Sequence, residues 1–131
     1  MEIKLSNCDI SKIQDECNLP HWENRKLTYV CFDNDTPVGF VSADYVLDEC
    51  TIFDIGCLPN YRRKGIAYGL LNTLINKCKQ ENFLTVTLEV RSENIPAIKL
   101  YEKCGFECVG KRKYYYKNPK DDALIYTLIL R

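Results

Sequence analysis

The sequence has one histidine, one tryptophan, no Cys-x-x-Cys pair, no long apolar run and no excess of either charge. Each scarcity removes a class of function. With His21 alone and no paired-cysteine motif, the common zinc arrangements lack ligands, and no metal is expected. Lys plus Arg (18) equals Asp plus Glu (18), so no global field draws the chain to nucleic acid or to an anionic membrane, and any anion must be held by a local cluster. The start, Met1-Glu2-Ile3-Lys4-Leu5-Ser6, passes into polar residues without the apolar segment of a secretory signal or a membrane span. A soluble cytoplasmic protein with no membrane or nucleic-acid partner is the expectation.

Cysteine, by contrast, is abundant: eight thiols stand at 8, 17, 31, 50, 57, 78, 104 and 108. Several lie among apolar residues, as in Val30-Cys31-Phe32 and Ile55-Gly56-Cys57-Leu58, where a free thiol behaves as a small hydrophobe. They read as reduced core thiols. A catalytic cysteine would need an activating base, and the lone His21 has no signature around it. At 131 residues, the chain fits one domain over 1–131, removing roughly two-thirds of its unfolded surface from water on folding.

Apolar patterning sets the order of elements. Ile3 to Leu5 suits a short strand, and Ser11 to Cys17 carries Ile10, Ile13 and Cys17 at helical spacing. Leu27–Phe32, Val38–Leu47 and Thr51–Leu58 read as three strands joined by the turns Asp33-Asn34-Asp35-Thr36-Pro37 and Asp48-Glu49, an antiparallel meander. From Lys64 the period changes: Ile66, Leu70, Leu74 and Cys78 recur four apart, predicting a helix to about Gln80. Phe83–Val90 then alternates, with Leu84, Val86, Leu88 and Val90 on one face and Thr85, Thr87 and Glu89 on the other.

Asn94 suits a helix cap and Pro96 the first turn, after which Ala97, Leu100, Tyr101 and Cys104 share a face and Gly105 ends the helix. Phe106–Tyr116 and Ala123–Leu130 are two final strands around the polar turn 117–122. The order is β-α-β-β-β-α-β-α-β-β, an α+β domain with a mixed, mostly antiparallel, twisted sheet flanked by helices.

Between the third strand and the second helix lies Pro59-Asn60-Tyr61-Arg62-Arg63-Lys64-Gly65-Ile66-Ala67-Tyr68-Gly69. Three cations and a glycine meet where a helix has unpaired N–H groups, so charge, backbone donors and helix dipole can converge on one polyphosphate. An ordinary solvated turn is the other reading of this stretch. Glu89, taken alone, is equally a solvated strand residue, and Tyr101 a half-buried core aromatic. The run Lys111-Arg112-Lys113-Tyr114-Tyr115-Tyr116-Lys117 interleaves cations with aromatics, as single-strand nucleic-acid platforms do. The zero net charge favours a groove wall instead, with Trp22 and His21 near the opposite wall.

Arg62-x-x-Gly65-x-Ala67, directly after a strand and opening a helix, resembles the Gln/Arg-x-x-Gly-x-Gly/Ala pyrophosphate motif of the GNAT family of acyl-CoA-dependent N-acetyltransferases. The block Leu88 to Phe106, with Leu88-Glu89-Val90-Arg91, Asn94, Leu100-Tyr101-Glu102 and Gly105-Phe106, is similar to that family's later strand, helix and Gly-Phe turn. Together they cover Thr51 to Phe106. Within the family the likeness is to the RimI-type branch, which acetylates a ribosomal protein's N-terminal amine.

The resemblance implies acetyl-CoA as cosubstrate, Glu89 as general base and Tyr101 as general acid. It implies cofactor contacts at Ile55, Gly56, Cys57, Arg62, Arg63, Lys64, Gly65, Ile66, Ala67, Tyr68 and Asn94. The implied partner is an amine acceptor, foremost a ribosomal or other protein N-terminus. Asn18–Lys26 is shorter than the corresponding part of RimI-type enzymes, which helps to form the acceptor site. A small amine, a lysine side chain, or acyl-CoA binding without turnover therefore stay open as alternatives.

Overall fold

A computed structural model describes residues 1–21, 25–117 and 120–131. The elements follow the order read from the sequence: β1 (Glu2–Leu5), α1 (Ser11–Glu16), β2 (Leu27–Asp33), β3 (Thr36–Val46), β4 (Glu49–Cys57), α2 (Ile66–Gln80), β5 (Thr85–Arg91), α3 (Ile95–Lys103), β6 (Glu107–Lys117) and β7 (Lys120–Ile129). A short 3-10 turn, Pro59–Tyr61, stands between β4 and α2. The strands form one seven-stranded sheet in the order β1-β2-β3-β4-β5-β7-β6. Among neighbouring strands of the described residues β4 and β5 alone pair in parallel, joined through the crossover helix α2.

The meander arises from two-residue connections in which Asn34 and Leu47 take left-handed backbone angles, the geometry that matches the twist of paired strands. α2 buries Ile66, Leu70, Leu71, Leu74, Ile75 and Cys78, the four-residue repeat expected of one apolar face. The alternation of β5 is equally plain, with Val86, Leu88 and Val90 buried. α3 starts where Asn94 accepts a hydrogen bond from the Ala97 amide and ends at Gly105, whose φ is +96°.

Three sequence expectations need correction. α2 begins at Ile66 rather than Lys64, because Gly65 at φ +79° is its cap. Leu84 is exposed instead of sharing the buried face of β5, since it lies before the start of that strand at Thr85, at the end of the sheet. Cys108 is exposed as well, because β6 is the outer strand of the sheet. Cys31, Cys50, Cys57 and Cys78 are buried free thiols, and Cys8, Cys17 and Cys104 are half-buried. No helix among the described residues is long and apolar enough to cross a membrane.

Candidate active site

The feature that creates the site is a fork in the sheet. β4 and β5 pair from Glu49↔Thr85 to Ile52↔Leu88 and then part, although β4 continues to Cys57 and β5 to Arg91. β3 still covers the far edge of β4, matching Val41 to Ile55, Phe40 to Gly56 and Gly39 to Cys57. The Leu58 amide bonds the Val38 carbonyl at 2.9 Å. Successive amides of an antiparallel strand point to opposite edges, so the Cys57 N–H is directed into the fork. Ile55 and Cys57 therefore present backbone to the gap, while Gly56, between them, turns its backbone groups to Phe40 of β3.

A bulge shapes the apex of the fork. Ser42 pairs with Asp54 and Ala43 with Ile52, leaving Phe53 as an extra residue in β4. Such a bulge turns two consecutive side chains toward one face. On β5, Glu89 follows the last paired residue. Its Oε1 lies 3.4 Å from Arg112 Nη2 of β6, while its Oε2 is buried without a hydrogen-bond partner among the described residues. A buried acceptor left unpaired costs about 1–3 kcal/mol, so an oxygen in this state calls for an explanation.

Tyr101 reaches the fork from α3. It is 5 % exposed, and its ring lies 5.9 Å from that of Phe106. Burial pushes its phenol well above the ordinary value, and the neighbouring Tyr116 and Asp54 push the same way. Tyr116, raised chiefly by burial, also feels Glu89 and Arg91. Arg91 lies 4.2 Å from the Tyr116 ring centre, and Tyr115 meets Tyr116 edge to face at 5.2 Å. Asp54, Glu89, Tyr101 and Tyr116 thus come from four elements into one electrostatic neighbourhood.

The hairpin that brings Tyr116 and Arg112 there is tied to the end of β5. Ser92 Oγ donates to Asp121 Oδ1 at 2.5 Å, the Glu93 amide donates to Asp121 Oδ2, and the Tyr114 amide donates to Asp122. The Ser92 hydroxyl above all, with the Glu93 and Asp122 amides, holds Asp121 below the usual carboxylate range. Tyr114 takes a left-handed angle, φ +55°, within the irregular stretch of β6 between Arg112 and Tyr116.

The basic turn below the fork is ordered by its own contacts. Tyr61 donates to Asp33 at 2.6 Å. Arg62 folds back, placing Nε 3.3 Å from the Cys57 carbonyl and Nη2 3.7 Å from Cys17 Sγ; it ties the turn to β4. Lys64 Nζ lies 5.4 Å from the Tyr61 ring centre. Arg63 and Gly65 both have left-handed angles, φ +63° and +79°. No side chain caps α2, and its first hydrogen bond runs from the Gly69 amide to the Gly65 carbonyl at 2.9 Å. The N–H groups of Ile66, Ala67 and Tyr68 accordingly have no helical acceptor. A Cβ on Gly65 would meet nothing within 4 Å, so glycine is needed here for its backbone angle.

Sequence reasoning missed four participants. Asp54 has no local signature, because nothing marks a bulge at Phe53. Tyr116 and Arg112 belong to the basic aromatic run read as a groove wall, but their approach to Glu89 depends on strand register. Lys103 stands 4.5 Å from the Tyr68 ring centre, adding a cation beside the start of α2. Asn94 serves visibly as the cap of α3. His21 is exposed and pairs with Asp15 of α1, and Trp22 lies outside the described residues.

A family model described as the Acetyltransferase (GNAT) family matches residues 5–106. The chain is 37 % identical over 106 residues to the [Ribosomal protein bS18]-alanine N-acetyltransferase of Escherichia coli, covering 79 % of this chain and 72 % of that protein. It is 35 % identical to the enzyme of the same name from Haemophilus influenzae, covering 97 % of both. The crystal structure of the ribosomal-protein-S18-alanine N-acetyltransferase from Escherichia coli superposes with a TM-score of 0.84 at 28 % identity, over 98 % of this chain and 94 % of that one. A chain of the NatC complex bound to Gag peptide and CoA superposes with a TM-score of 0.81 at 27 % identity, over 100 % of both. With the forked sheet and the basic turn leading into α2, these matches establish that this chain belongs to the GNAT family of acetyltransferases.

Proposed function

We propose that the protein transfers the acetyl group of acetyl-CoA directly to a primary amine, foremost the α-amine of a protein N-terminus, with Glu89 as proton acceptor and Tyr101 as proton donor. The observation that carries this reading is the buried, unpartnered Oε2 of Glu89 at the apex of the fork. It is a hydrogen-bond acceptor held ready for a donor that the fold itself does not provide. The relatives named for acetylation of a ribosomal protein's alanine support the choice of acceptor.

The residues present fit acetyl-CoA. The amides of Ile66, Ala67 and Tyr68, the dipole of α2 and the nearby Arg63, Lys64 and Lys103 suit its diphosphate. Arg62 braces the turn through the Cys57 carbonyl. The open edge of β4 at Ile55–Cys57 suits an amide-bearing chain, and Asn94 supports the site through α3. When bound, acetyl-CoA supplies the thioester whose acetyl group is transferred.

An α-amine has a reference pKa of about 7.7–8.0, so much of it is protonated at neutral pH and a base is useful. Glu89 Oε2 accepts that proton, with Arg112 steadying the other carboxylate oxygen. The Cys57 N–H, directed into the fork, stabilises charge developing on the carbonyl oxygen. Tyr101 keeps its proton at neutral pH because burial raises its phenol, and it donates from Oη to the departing sulfur. The Cys57 thiol is itself a poor nucleophile, since burial raises its pKa too.

Acetyl transfer to a library of free N-terminal peptides, run beside panels of small amines and lysine peptides, tests the reading. Preferential N-terminal acetylation supports it, and transfer confined to another panel reassigns the acceptor. Coenzyme binding with no transfer to any amine would leave a binding module. Cys57→Ala should stay active within about tenfold of wild type, because the backbone donor remains. A folded but inactive Cys57→Ala would point to a covalent thiol route.

A further inference from the structure

We infer that Asp54 is an acceptor-positioning residue: its carboxylate holds the incoming ammonium group at the apex of the fork, facing Glu89 across the gap. The inference rests on the acetyl-transfer reading and adds to it the charge state in which the acceptor is captured.

The two carboxyls share one face of the sheet. Cys50 lies against Cys78 of α2, and its register partner Val86 begins the buried face of β5 together with Leu88 and Val90. Glu89 points to the opposite face. On β4, a Cβ at Gly56 would lie 3.1 Å from Cys17 Sγ and 3.3 Å from Leu19 Cδ1, which marks the α1 side as that opposite face. Asp54, two residues earlier and beyond the bulge, shares this direction. Asp54 and Glu89 therefore flank the point where β4 and β5 separate.

Among the described residues Asp54 forms no hydrogen bond or ion pair. The cation acting on it is Arg25, whose Nη1 is 3.6 Å from Asp44 Oδ2 of β3 and whose guanidinium stacks 4.0 Å from the Phe53 ring centre. Tyr101 of α3 feels the Asp54 charge; Glu89 of β5 and Tyr116 of β6 are the other titratable groups of the fork. Burial lifts Asp54 to about 6, with Arg25 opposing the rise. An anion that the fold has not neutralised, beside the exposed Phe53 ring, is suited to a primary ammonium group carrying an apolar substituent.

The sign of the pH effect follows. A carboxyl whose folded pKa exceeds its unfolded value of about 3.9 binds protons more readily when folded, so its charge costs stability above that pH. An ammonium ligand offsets this cost and must lower the titration midpoint. Below pH 6 the carboxyl is neutral and capture weakens.

The test has two arms. In the first, the Asp54 side-chain carbon resonance of the wild-type protein is followed against pH, alone, with a short free N-terminal peptide, and with the same peptide Nα-acetylated. The free amine should lower the midpoint and the acetylated peptide should not; equal midpoints with both peptides overturn the inference. In the second, Asp54→Asn keeps the size of the side chain and removes its charge. The acceptor KM should rise about 10- to 100-fold, with the acetyl-CoA KM unchanged and the fall in kcat/KM below pH 6 abolished. An unchanged acceptor KM also overturns it. A wild-type protein that acetylates no amine removes the acetyl-transfer reading, while the carboxyl titration still decides the role of Asp54.

Discussion

Tyr101→Phe should lower kcat about 10- to 10,000-fold, the range of general acid catalysis, and leave the acetyl-CoA KM nearly unchanged. The substitution removes one oxygen from a residue that is 5 % exposed and packed against Phe106, so the ring contacts of α3 survive. Only the proton is lost. The defect should depend on the leaving group: a thioester of a more acidic thiol departs without protonation, so Tyr101→Phe should lose less with that donor than with acetyl-CoA. Steady-state kinetics with both donors measures the difference. Wild-type turnover with acetyl-CoA would remove Tyr101 from the mechanism, and an equal loss with both donors would make its role one of packing.

Glu89→Gln should reduce kcat/KM for the amine by roughly 100- to 10,000-fold at pH 7. Glutamine keeps the length of the side chain but cannot accept a proton at neutral pH. The deficit should shrink as the pH rises through the α-amine value of about 8, where the acceptor arrives already deprotonated. Solvent then does the work of the carboxylate. Rates measured from pH 6 to 9 for both proteins check this. A variant as active as wild type throughout would make Glu89 a partner of Arg112 and nothing more, and a deficit that is the same at every pH would count against proton acceptance.

These two variants separate roles that meet in a small space. Tyr101 comes from α3 and Glu89 from β5, and the fork exists because β4 and β5 part after Ile52 and Leu88. Arg112 lies 3.4 Å from Glu89 Oε1, and Oε2 has no hydrogen-bond partner among the described residues.

Much of this was legible in the chain. The period-four repeat of Ile66, Leu70, Leu74 and Cys78, the alternation of Val86, Leu88 and Val90, and the cap residues Asn94 and Gly105 are local signals, because helix and strand geometry repeat over a few residues. Arg62-x-x-Gly65-x-Ala67 was visible for the same reason: a helix start and its left-handed glycine are made by neighbours in sequence. The order of all ten strands and helices followed, and with it the α+β sheet.

What only the tertiary structure decided lies where distant strands fail to pair. The bulge at Phe53 depends on register with β3, and the fork depends on β4 and β5 diverging, which no residue in either strand announces. Asp54, Arg112 and Tyr116 gained their places from these long-range alignments. So did the folding back of Arg62 onto the Cys57 carbonyl. The sequence by itself determined the elements, their order and the basic turn into α2, since those rest on local periodicity and capping. The tertiary structure decided which side chains meet at the fork, because that is a matter of register between strands far apart in the chain.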